Sequence, residues 1–201
     1  MKVQGEATRA RARIVPAKPM DYAALLAGFS EKERQTYERQ IQAYETKLGA
    51  GSAEHWRRLT CVLKALAPAP AKLGSSHTVQ FFIPDGKYRK QVYALHGLED
   101  GTLTVYAPDI LAKAIREGIL AKPQRTNDVS VYNIGKTGET LPIDLLDGKT
   151  PNPELYFKDM TGWNRKAIRI TLQAQASDVQ MEAVEQLCTL AAMEWAATAS
   201  E

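Results

Sequence analysis

Apolar and polar positions along this chain change their period twice. Between Ser30 and Leu66 the period is helical: Tyr37, Ile41, Tyr44 and Leu48 recur at spacings of four, three and four, and Trp56, Leu59, Leu63 and Leu66 at three, four and three. Such spacings line side chains along one stripe of a helix. Ser30 followed by Glu33 is a capping box, in which hydroxyl and carboxylate satisfy backbone N–H groups left unpaired at a helix start. Gly49 and Gly51 stop this helix, Ser52 caps the next, and Pro68 ends it by clashing with the preceding turn. The short link predicts an antiparallel helical hairpin. The segment Ala67 to Ser76, with two prolines and Gly-Ser-Ser, reads as a link between this helical front and a strand-rich body.

From His77 the period becomes two. Val79, Phe81 and Ile83 alternate with Thr78, Gln80 and Phe82 before the turn residues Pro84, Asp85 and Gly86. Tyr88 to Leu95 is the second strand, Leu98 to Gly101 the second turn, and Thr102 to Tyr106 the third strand, which together predict a three-strand antiparallel meander. Pro108 and Asp109 open a short helix closed by Gly118. Val129 to Ile134 returns to strand, then a turn at Gly135 to Gly138, then a strand through Leu141 to Leu145 that Pro142 opposes. A helical turn is expected from Asn152-Pro153 to Phe157. Ile168, Ile170 and Leu172 alternate with Arg169 and Thr171, a strand with one wet face.

The helical period returns at the end, where Met181, Val184, Cys188, Ala191 and Trp195 form a stripe behind a cap at Ser177 or Asp178 with Gln180. Strands grouped in hairpins without regular βαβ alternation predict an α+β fold: an N-terminal helical hairpin, an antiparallel sheet containing the meander, and a C-terminal helix packed on the sheet. The expected divisions are a basic arm at 1–20, the hairpin at 21–66 and an α+β body at 77–199, with the last two as one domain.

Composition supports a folded chain of 201 residues, 44% hydrophobic and 24% charged. Charged residues interrupt every apolar run, so no membrane span is expected, and the start lacks the apolar segment of a secretory leader; the expected location is cytoplasmic. The net charge of +3 is uneven, because residues 1–20 hold five cations and one carboxylate and the rest sums to −1. Any attraction to polyanions therefore belongs to Arg9, Arg11 and Arg13 and their neighbours. Three arginines give few phosphate contacts, so a solvated arm is preferred to a nucleic-acid interface.

Catalytic patterns are incomplete. Gly135-Lys136-Thr137 resembles the end of a phosphate-binding loop, but Ser130 stands where the first glycine belongs and Gly138 and Pro142 oppose the helix that should follow. A hairpin turn is the better reading. His55, His77 and His96 form no metal-ligand spacing, and no metal or cofactor is expected. His77 and His96, at opposite ends of a predicted hairpin, are the one histidine pair that could meet. Cys61 and Cys188 sit on apolar helical stripes and read as inert thiols. Tyr88, Arg89, Lys90, Gln91 and Tyr93 interleave aromatic and basic groups, but strand alternation divides them between two faces. Trp163 and Arg165 precede a strand in a loop, where anchoring to the core outweighs a ligand contact.

The preferred function is a non-enzymatic binding or accessory module, acting through a sheet face or the helical hairpin on a protein partner or a small acidic ligand. The alternative is a small-molecule enzyme with a pocket between sheet and helices near His77, His96 and Trp163. The third reading is weak nucleic-acid binding by the basic arm.

Overall fold

In the computed structural model, which describes residues 21–73, 78–85, 87–96, 101–107, 110–121, 124–125, 130–146, 167–172 and 175–198, the capping rules read from the sequence place the helix starts at Ser30 and Ser177 but not at Ser52, where Gly51 is the cap residue and the Ser52 hydroxyl donates instead to the Gly49 carbonyl at 2.8 Å. Ser30 accepts from the Glu33 N–H while the Glu33 carboxylate accepts from the Ser30 N–H, opening α2 (Glu31–Leu48). The Ser30 N–H, and then the Ser30 hydroxyl that also donates to it at 2.8 Å, hold the Glu33 carboxyl below its ordinary range. Before it lies a short helix, α1 (Tyr22–Ala27), capped by Asp21. Its single turn and a half is too short to show a period. α3 (Ser52–Leu66) returns antiparallel to α2, since Tyr37 donates to Thr60 at 3.0 Å while Tyr44 stacks on Trp56 with ring centroids 4.6 Å apart.

The segment read as a link is a strand instead. Ala69–Leu73 forms β1, the edge of the sheet, where Pro70 is tolerated because an edge strand leaves some N–H positions unpaired, and the register shifts between Ala69 and Lys72. β2 (Thr78–Asp85), β3 (Tyr88–His96) and β4 (Thr102–Val105) form the expected meander. α4 (Ile110–Arg116) follows, then β5 (Gln124–Arg125), β6 (Ser130–Asn133) and β7 (Thr140–Leu146). Pro142 does not break β7, because the ladder to its inner neighbour begins at Ile143. β8 (Ala167–Thr171) enters between β4 and β7, giving the order β1-β2-β3-β4-β8-β7-β6-β5 with every pairing antiparallel. The closing helix is α5 (Asp178–Thr198), boxed by Ser177 and Gln180.

One turn differs from expectation. Gly101 is buried and not on the surface, at φ +66° with Leu48 above it, and its carbonyl accepts from the Leu172 N–H at 3.0 Å. The end of α2 packs down on this turn and so demands a residue without a side chain. The expected helical turn at 152–157 lies outside the described residues.

The described helices share one face of the sheet. Met181, Val184, Cys188, Ala191 and Trp195 are buried there in a single cluster with Val105, Ile168 and Ile170. The Tyr93 hydroxyl donates to the Cys188 carbonyl at 2.8 Å, and the Trp195 indole to the Tyr106 carbonyl at 3.0 Å. A bidentate pair joins α3 to α5: Arg58 donates through Nε and Nη2 to the two Glu185 oxygens at 2.5 and 3.1 Å. Lys113 pairs with Glu194, fixing α4 to α5.

Candidate functional site

Alternation fixes which side chains leave the helix-covered face. In β4, Leu103 and Val105 join the helix-side core, so Thr102 and Thr104 point the other way; in β8, Ile168 and Ile170 do the same and release Arg169 and Thr171. Register then assembles rows across the strands. Lys72, Gln80, Ala94, Thr104, Arg169 and Asp144 stand side by side from β1 to β7. Thr78, His96, Thr102 and Thr171 form a second row.

β3 changes face partway. Phe81 pairs with Tyr93 but Phe82 with Gln91, so the strand carries one extra residue, Val92, as a bulge. Arg89 and Gln91 therefore join the face opposite the helices, while Lys90 lies over the Trp195 ring at 3.9 Å on the helix side. Arg89 covers Phe82, 4.5 Å from its ring centroid, and donates to the Pro70 carbonyl. The Gln91 amide donates to the Tyr106 hydroxyl at 3.4 Å. The simple alternation that grouped Gln91 with Tyr93 is thus corrected by the bulge, and Tyr93 is buried in the core.

This second face is mixed: Lys72 and Arg89 are exposed, Gln80, Gln91, Asp144, Arg169 and Thr171 are half-buried, and a smaller set is buried. Phe82, Ala94, Tyr106 and Ala167 are buried but stand apart from the main core cluster, and Thr78 and Thr102 are buried beside them. Thr104 is 0% exposed, and among the described residues its hydroxyl has no hydrogen-bond partner; the buried Nε of its half-buried register neighbour Arg169 has none either. A buried unsatisfied donor costs about 1–3 kcal/mol, so two such atoms on adjacent strands call for a ligand group or ordered water. Burial pushes the Tyr106 hydroxyl up to about 12, with the Arg169 charge partly opposing it. Asp144 stands opposite Arg169 on the other side, and among the described residues Arg169 forms no ion pair.

His96 lies in the second row, half-buried, facing Thr78 and Thr102. It points away from the helices, so it does not line a space between sheet and helices. His77, Trp163 and Arg165, and the arm residues Arg9, Arg11 and Arg13, lie outside the described residues. The wet face expected for β8 carried the signal for Arg169, but alternation alone gave no reason to single it out. Thr104, Asp144 and Tyr106 became visible only through register.

Other candidates resolve into structure. Gly135 and Gly138, at φ +49° and +81°, form a hairpin turn closed by the Ile134 N–H to the Glu139 carbonyl at 2.8 Å. Tyr37 and Tyr44 are consumed between α2 and α3. Burial pushes the Cys61 thiol up to about 11, and burial followed by the Glu185 charge pushes Cys188 higher, so neither is an activated nucleophile. Among the described residues no group of three or more His, Cys, Asp or Glu side chains could hold a metal ion, and no helix is long and apolar enough to cross a membrane.

No family model matches the chain, and no curated protein or solved structure matches it at a significant level.

Proposed function

We propose that this chain is a non-enzymatic binding module whose ligand sits on the sheet face opposite the helices. The observation that carries the reading is the adjacency of the buried Thr104 hydroxyl and the buried Nε of the half-buried Arg169, both unsatisfied among the described residues and in register on that face. A sheet face that served only stability would be apolar under cover or polar in water. This one is half-wet, yet it buries the Thr104 hydroxyl and the Arg169 Nε, which costs free energy unless something completes their hydrogen bonds. Binding is preferred to catalysis because burial raises both thiols, Cys61 and Cys188, and leaves them neutral.

Threonine and isoleucine methyl NMR tests the location while the ligand is still unidentified. The probes are a defined panel of small carboxylates, phosphate monoesters, amines and sugars. Shifts at Thr78, Thr102, Thr104 and Thr171, with Ile143, Ile168 and Ile170 unmoved, are the expected result. A second face that stays silent to the whole panel, or shifts confined to α2 and α3, would remove the sheet from the account.

A further inference from the structure

Resting on the sheet-face reading, we infer that Arg169 and Thr104 form a subsite for one carboxylate group of a small organic acid. Their chemistry sets the ligand class. Arg169 supplies guanidinium N–H donors in a planar fork and Thr104 a hydroxyl donor from the adjacent strand, and both point to the same face. Each has a buried polar atom without a protein partner. The backbone ladder between β4 and β8 holds the two at fixed spacing, so little freedom is lost when an anion joins them.

The neighbours narrow the charge of that anion. Asp144 faces Arg169 from β7, Gln80 and Ala94 continue the row on the other side, and His96 lies in the next row. One guanidinium beside one carboxylate leaves this patch near neutrality. A monoanionic, planar carboxylate is accepted there more readily than a phosphate carrying nearly two charges, which Asp144 would repel. The Tyr106 hydroxyl, held by Gln91 and lying within the field of Arg169, borders the subsite.

The full chain is titrated with propionate, with benzoate and with inorganic phosphate at matched ionic strength, following the Arg169 Nε–H resonance and the Thr104 methyl. The expected result is saturable movement of both signals with at least one carboxylate and weaker movement with phosphate. Arg169→Gln should weaken carboxylate binding by about tenfold or more, and Thr104→Val by several-fold. Thr104→Val removes an unsatisfied hydroxyl while keeping the shape, so its melting temperature should hold or rise, which separates lost binding from lost folding. Asp144→Asn should tighten carboxylate binding by removing a competing anion.

Four outcomes overturn the subsite. Phosphate could outcompete both carboxylates. Asp144→Asn could weaken binding, which would make Asp144 a ligand contact. Carboxylates could leave Arg169 unmoved while amines or sugars shift the second-face threonines; that result sinks the subsite and leaves the binding module standing. Silence of that face to every probe sinks both.

Discussion

Glu185 is a carboxylate placed inside a helix interface, and its side chain is 6% exposed against 38% for its partner Arg58. The Glu185 hydrogen bond, chiefly, raises the Arg58 guanidinium above its ordinary range. Arg58→Ala strands a buried charge and should lower stability by about 2 kcal/mol in urea unfolding, less than for a wholly buried pair because water screens Arg58. Glu185→Gln should cost less, since an amide needs no counter-charge. The thiols make a second prediction at this scale. The Cys61 pKa rises on folding from 9.0 to about 11, so its neutral form contributes stability that is full below pH 9 and declines as pH climbs towards 11. Unfolding midpoints measured across that window should fall, and a Cys61→Ala variant should show a shallower fall. Thiol reagents at neutral pH should label neither cysteine until denaturant is added.

At the scale of elements, α5 is held by its apolar stripe and by the indole of Trp195, so Trp195→Ala should cost about 3–5 kcal/mol by chemical denaturation. Gly101→Ala should cost at least about 1 kcal/mol, because the backbone is left-handed and a Cβ would stand 3.1 Å from Leu48 Cδ1. Leu48→Ala on top of it should recover only part of the loss, since the backbone strain persists. Long periodic segments were legible in the sequence: α2, α3, α5 and the meander follow from local pattern and turn chemistry alone. Short or paired elements were not. α1 has no room for a period, β1 hides behind prolines, and the Val92 bulge depends on a partner strand that sequence does not name. The same limit hid the candidate site, because Thr104, Arg169 and Asp144 are separated along the chain and meet only when β8 takes its place.

At the scale of the whole molecule, the helical hairpin and the closing helix are fastened together, since α3 and α5 meet through Arg58 and Glu185, 127 residues apart. β8 fastens the middle as well. It is the last strand in the chain and a central one in the sheet, the single bridge between β1 to β4 and β5 to β7. During synthesis, therefore, the edges of β4 and β7 stay open until residue 171 has emerged, and each offers a row of unpaired backbone groups to any neighbouring chain. Completion of the sheet is a late, long-range event, the kind that slows folding. A ribosome stalled before residue 167 should hold an aggregation-prone nascent chain, and a separate peptide covering 167–198 should rescue it by inserting as the missing strand and helix.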